Sequence, residues 1–285
     1  MSTLALVRRS GPRTARTTRP WLYLICAGFA VLVVLVALLA SWIAPADPNS
    51  SDLSAALTGP SAGHLLGADG SGRDTLSRLI IGARTALLGP AFVVLFSTLL
   101  GVAVGVAAGW RGGWLDSVLS RGSELLLAFP GLLLAILFVA LYGQGLVAPV
   151  IALSLAYTPY VSRLARSLTL SEKQRPYLAA YRVQGFSNRA ICLRHLIPNI
   201  GPVVLAQSTV NFGYALIDLA ALSYLGLGVP PLTPDWGAMV NEGQSALLQG
   251  QPLSAIVPCL AIVLTVVAFN VVGEHWADRV AKREA

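Results

Sequence analysis

The chain has 285 residues, 55% of them hydrophobic and only 12% charged, with a formal net charge of +7 and a mean hydropathy of +0.69. Soluble domains carry roughly 25% charged residues, so this composition argues against a soluble domain. The positive excess is not arranged as a patterned basic and aromatic surface, which argues against nucleic acid as a partner; basic residues gathered on the cytoplasmic side of a membrane account for it.

About 30 Å of hydrocarbon needs roughly 20 apolar residues at 1.5 Å each. Six stretches qualify, at residues 21–43, 85–109, 123–142, 146–164, 202–224 and 253–272. The expected fold class is therefore all-α, a polytopic membrane protein with six transmembrane helices. A basic tail, residues 1–20, precedes the first span. Its arginines, the apolar run and the small residues Ala44–Ala46 imitate a secretory signal. A signal core is only about 7–15 residues long, so the longer run here reads as a retained anchor.

Residues 44–84 form a loop that ends in an expected interfacial helix feeding the second span. Its glycines near Gly72 imitate a phosphate loop, but the Lys-Ser/Thr pair that opens the helix of such a loop is absent. Arg73, Asp74 and Arg78 either pair with one another or meet a partner docked on this face. Near the third span, Glu124 lies close to Arg121 and reads as interfacial pairing, as do Glu274 and Asp278 after the sixth.

The segment 163–201 is polar and basic between apolar runs. Pro176 suits the first turn of a helix. Gly185 suits the left-handed position that ends one, and Ser187 is a natural N-cap for a second. Pro198 is expected to end that second helix before the fifth span. Tyr177, Tyr181 and Gln184 share one face beside the small Ala179 and Ala180. That face suits insertion into a groove of another protein or rest on lipid headgroups.

In the fifth span Gln207, Asn211, Tyr214 and Asp218 recur at helical spacing. Ionisable groups in a span face a partner or a wet cavity. These four either line a pathway or hydrogen-bond to a neighbouring subunit. The Gly/Pro-rich run "GLGVPPLTPDWG" that follows cannot continue a helix; it reads as a rigid turn with Asp235, and with Trp236 at the interface belt.

Seventeen of the twenty Lys and Arg, all but Arg73, Arg78 and Arg84, fall on one side if the N-terminus is cytoplasmic. The positive-inside rule then puts both termini in the cytoplasm. Cys26, Cys192 and Cys259 have no metal-ligand spacing. A membrane-embedded protease would need paired catalytic groups at one depth, and His64, His195 and His275 lie far apart along the chain.

Glycine followed 13 residues later by proline, after an alanine pair, resembles the EAA loop of ABC importer permeases. The chain departs from that pattern at Ala179, where the family has glutamate, and at Tyr181, where it has alanine. "RHLIPN", "HLLGADGSGRDTLSRLIIGAR", "AGWRGGWLD" and "LSYLGLGVPPLTPDWGAMV" resemble the C-type permease subunit of peptide and nickel importers. The resemblance implies a type I importer permease fold, with a permease core over residues 85–273, a coupling segment at about 171–199 and a cytoplasmic tail over 274–285. It implies no enzyme activity in this chain. It implies a homologous permease subunit, two ATP-binding subunits that hold ATP and Mg²⁺, an extracytoplasmic binding protein and a di- or oligopeptide substrate, in a bacterial cytoplasmic membrane. Nickel-chelate, haem or another small solute are the alternatives. Tyr177, Ala179, Ala180, Tyr181, Arg182, Gly185 and Pro198 would then form the ATPase-coupling element. Gln207, Asn211, Tyr214 and Asp218 would line the pathway. Arg73, Asp74, Arg78, Asp235 and Trp236 would lie at the outer gate, under the binding protein.

Overall fold

The computed structural model describes residues 20–284; the basic tail before Pro20 lies outside the described residues. The described chain is helical throughout, and its one β-type contact is an isolated bridge between Ala68 and Asp74. In order come α1 (Pro20–Ile43), α2 (Thr75–Arg111), α3 (Gly113–Ala128), α4 (Gly131–Tyr142) and α5 (Val147–Glu172). Then follow α6 (Pro176–Val183), the single turn α7 (Asn188–Ile191), α8 (Ile197–Tyr224), α9 (Trp236–Leu248) and α10 (Leu253–Glu284).

The central pair is α2 and α5. Glycines at four-residue spacing leave one face of α2 without side chains, and α5 comes down onto it. A Cβ at Gly101 would lie 2.5 Å from Val161 Cβ, one at Gly105 2.4 Å from the Ser162 carbonyl, and one at Gly109 3.0 Å from Thr169 Cβ. Small residues at such spacing let helix backbones approach closely, which is how helices associate where lipid removes the hydrophobic drive. On α5, Ser154, Thr158 and Thr169 return their hydroxyls to the carbonyls of Val150, Ser154 and Ala165. Their polar groups are thereby satisfied inside the pair.

Three apolar clusters are arranged around this pair. Trp236 and Met239 of α9 pack with Val33 and Ala37 of α1, Leu87 of α2, Leu216 of α8 and Val266 of α10. Val93, Ala135, Leu153 and Leu219 join α2, α4, α5 and α8. Leu178, Ile191 and Leu196 seat the polar segment between α5 and α8 on Val106, Val161 and Ile200. The outward faces are apolar too; Leu24, Leu38, Leu99 and Leu137 are all exposed.

Four helices are long and apolar enough to cross a membrane by length and composition alone, with a fifth if the pair α3–α4 is counted as one. That pair corrects the expected third span. Residues 123–142 are not one straight helix, because the chain bends by 81° between Ala128 and Gly131. Pro130 at the bend has no amide hydrogen to continue the helix, and the 12-residue α4 is about 18 Å long. α5 carries Tyr157, Thr158, Tyr160 and Arg163 and is not among the four.

One further expectation is corrected: the interfacial helix before the second span is the first part of one 37-residue α2. The Gly/Pro-rich run after the fifth span is non-helical up to Asp235, as expected, and leads into a 13-residue helix, α9. Asp235 caps it by accepting from the Gly237 and Ala238 amides at 3.0 and 3.3 Å.

Gly105→Val is expected to abolish folded yield or lower Tm sharply, since overpacking alone costs about 1–3 kcal/mol and here the clash is with backbone. Gly122→Ala, where an added Cβ meets nothing within 4 Å, is expected to leave both unchanged. Thermal unfolding of the two purified variants makes the comparison.

Candidate functional site

An open cavity of about 910 Å³ lies between the α3–α4 elbow, α5 and α8. The helical spacing of Gln207, Asn211, Tyr214 and Asp218 brings all four to its α8 wall. Tyr157, Tyr160 and Arg163 form the facing α5 wall. The Tyr157 hydroxyl donates to Asp218 Oδ2 at 2.9 Å, and Gln207 Nε2 donates to Asn211 Oδ1 at 3.1 Å. Asn211 is buried and its amide nitrogen has no partner among the described residues, whereas Tyr214 is exposed. The lining offers a carboxylate, a guanidinium, two carboxamides and three phenols to one solute-sized volume. The spacing of Tyr157, Tyr160 and Arg163 on one helix face was the signal in the sequence for the α5 wall.

At the end of α2 and α5, the polar segment folds as two short helices. Pro176 lies in the first turn of α6, and Gly185 takes φ +82° just after it. The Ser187 hydroxyl oxygen caps α7 by accepting from the Ala190 amide at 3.3 Å. Pro198 does not end a helix. The chain passes from α7 through a π-helical turn, Cys192–Leu196, and Pro198 lies in the first turn of α8. A missing amide there removes nothing that the helix needs.

The tyrosine face of α6 is turned inward. Tyr177 donates to Glu172 Oε1 at 2.7 Å and accepts from Asn199 Nδ2 at 2.8 Å. Partial burial, and the hydrogen bond to Glu172, push its phenol up to about 12. Tyr181 stacks on His195 with ring centroids 3.9 Å apart. The expectation that these rings enter a partner's groove is therefore corrected. The outward surface is Ala179, Ala180, Val183 and Gln184, with Arg189 of α7, all exposed. Arg182 lies over the Trp110 ring, its guanidinium carbon 4.9 Å from the centroid. Nearby, Arg166 grips Asp116 through Nε and Nη2.

Residues 101–285 match the family described as binding-protein-dependent transport system inner membrane component. The glutathione transport system permease protein GsiD of Escherichia coli strain 536, Shigella boydii strain Sb227 and Shigella sonnei strain Ss046 is 40% identical over 264 residues. The match covers 92% of this chain and 87% of each relative. The chain belongs to the binding-protein-dependent inner membrane permeases. It is a permease subunit of an ABC importer and a multi-pass inner membrane protein. The MetNI methionine ABC transporter, solved in inward-facing conformations, shares the fold: its chain superposes with TM-score 0.58 at 18% identity, over 71% of this permease and 96% of that chain.

At the far end of the permease from α6, the expected outer-gate residues are turned inward. Arg73 pairs with Asp69 at 2.8 Å and with Glu242 of α9 at 2.9 Å. Arg78 reaches the same two carboxylates and is 1% exposed. Asp74 caps α2 by accepting from the Ser77 amide at 2.8 Å and lies 3.1 Å from His64 Nδ1. Trp236 is buried, not at an interface belt, and donates to the Leu79 carbonyl at 2.9 Å. Burial pushes the Asp235 carboxyl up, opposed by the amides that it caps. Arg73 and Arg78 thus form an internal clamp with Asp69 and Glu242 of α9, and all five expected outer-gate residues are buried. The signal for the clamp was charge complementarity: residues 226–252 carry Asp235 and Glu242 without a basic residue, opposite a loop rich in arginine.

Arg78→Leu would leave Asp69 and Glu242 short of a counter-charge. It is expected to destabilise the permease by about 3–5 kcal/mol, seen as a lowered Tm of the purified protein. Arg78→Lys, which keeps the charge and loses the fork, is expected to fall between. An unchanged Tm for Arg78→Leu would refute the clamp.

Proposed function

We propose that the permease forms one half of a translocation pathway for di- or oligopeptides, completed on its open side by a homologous permease subunit. The cavity carries this reading. It is one-sided, and its lining of Asp218, Arg163, carboxamides and phenols suits a zwitterionic solute rich in hydrogen-bonding groups. The relatives named for glutathione, itself a peptide, support that substrate class.

In this reading α1, α2, the bent pair α3–α4, α5, α8 and α10 make six crossings of a bacterial cytoplasmic membrane, with both termini in the cytoplasm. α6 presents Ala179, Ala180, Val183 and Gln184 to one of two ATP-binding subunits, which hold ATP and Mg²⁺; this chain supplies no cofactor and catalyses nothing. An extracytoplasmic binding protein delivers solute to the opposite face. Closure of the ATP-binding subunits moves α6, rocks the helices and opens the cavity outward. ATP hydrolysis resets it.

Replacing Asp218 with Asn removes a charge-assisted contact of about 1.5–3 kcal/mol. Uptake by the assembled importer is expected to fall about tenfold or more, a loss of about 1.4 kcal/mol or greater. Wild-type uptake of every peptide tested would remove Asp218 from the pathway. Orientation is tested by impermeant thiol labelling of Leu53→Cys and Val183→Cys, positions 76% and 88% exposed. Labelling of position 53 alone in intact cells is expected, and labelling of position 183 alone would reverse the topology.

A further inference from the structure

We propose that Trp110 is a positioning residue through which movement of α6 is delivered to the end of α2, by an aromatic face that holds Arg182. The inference rests on reading α6 as the element that docks on the ATP-binding subunit.

Trp110 is the penultimate residue of α2. Its neighbour Gly109 lies on the backbone and side chain of α5 at Arg166 and Thr169, with an added Cβ 3.1 and 3.0 Å from them. The end of α2 is thus packed against α5. The Trp110 backbone carbonyl accepts from Lys173 Nζ at 2.7 Å, and the same ammonium lies 5.9 Å from the ring centroid. Beyond Arg111 the chain turns through Gly112 and Gly113, both with positive φ and open space around them.

Arg182 meets this ring from α6. Its side chain makes no hydrogen bond or ion pair among the described residues, and the cation lies 4.9 Å above the indole centroid. A guanidinium over an indole face is attracted by the ring quadrupole, and Trp is the strongest such acceptor. With Ala179 in place of a carboxylate, α6 has no acidic side chain of its own. Tyr177 and Tyr181 bind the segment that leads into α8, through Asn199 and His195, and Tyr177 also bonds Glu172 at the end of α5. Leu178 packs on Val106 of α2 and Val161 of α5. Arg182 adds a directional cation–ring contact with the end of α2. A displacement of α6 thus reaches α2–α5 through this contact together with the Leu178 packing and the Tyr177–Glu172 bond.

The test is uptake per ATP hydrolysed, measured in proteoliposomes with the binding protein present. Trp110→Ala is expected to lower that ratio about fivefold or more, the scale of a typical coupling between sites. Trp110→Tyr, which keeps an aromatic face, is expected to retain it within about twofold. Arg182→Gln should reproduce the alanine variant, and the double variant should be no worse than either single one, because both remove the same contact. A wild-type ratio in Trp110→Ala or Arg182→Gln, or losses that multiply in the double variant, overturns the proposal. If Trp110→Ala does not assemble, Arg182→Gln on its exposed helix decides alone. Gly185→Val, strained at φ +82°, separates the two levels. If it lowers the ratio and the Trp110 and Arg182 variants do not, only this proposal falls; if it too retains the wild-type ratio, the reading of α6 as the coupling element falls with it.

Discussion

The close approach of α2 and α5 is the constraint on which the permease depends. In a bilayer the surrounding lipid is as apolar as leucine, so helices are held by contact and by satisfied polar groups. Gly101, Gly105 and Gly109 let the α5 backbone touch α2 directly. That contact fixes one face of α5 without large side chains. The other face is then free to carry Tyr157, Tyr160 and Arg163 into the cavity. The least apolar of the long helices is in this way held in place by its neighbour's backbone and not by its own hydrophobicity.

The two ends of the bundle treat charge differently. At one end Arg73, Arg78, Asp69 and Glu242 neutralise one another in a nearly dry site. Such a site is costly to assemble and much costlier to break by removing one member, which makes it a rigid joint between loop 44–84 and α9. At the other end the charges are spread out. Arg166–Asp116 and Arg175–Glu172 are partly exposed pairs, whose members exchange with water at little cost. The bundle thus has a rigid joint at one end and a compliant opposite end.

Where local chemistry decides the conformation, the residues announced it. Pro176, Gly185 and Ser187 set their turns and caps by backbone preference alone, and the structure has each in that role. The one-face spacing of Gln207, Asn211, Tyr214 and Asp218 likewise survives as a cavity wall. What could not be read came from tertiary packing. Tyr177 and Tyr181 look like exposed anchors until Glu172, Asn199 and His195 are brought beside them. Trp236 looks like an interface residue until α9 forms, and α9 is obscured by the Pro-rich run before it. The glycine stripe on α2 was present in the sequence at four-residue intervals, but its meaning depends on which helix lies against it.

The π-helical turn at Cys192–Leu196 sets the phase of the permease. The Ile197 amide reaches back to the Cys192 carbonyl, five residues away, so this turn holds one residue more than the α-helical turns beside it. One residue corresponds to about 100° of helix rotation. The outward surface of α6 and α7 and the cavity-facing wall of α8 are therefore set a little over a quarter turn out of step by a single inserted residue. A one-residue change in chain length at this point would turn one surface against the other without altering the side chains of either.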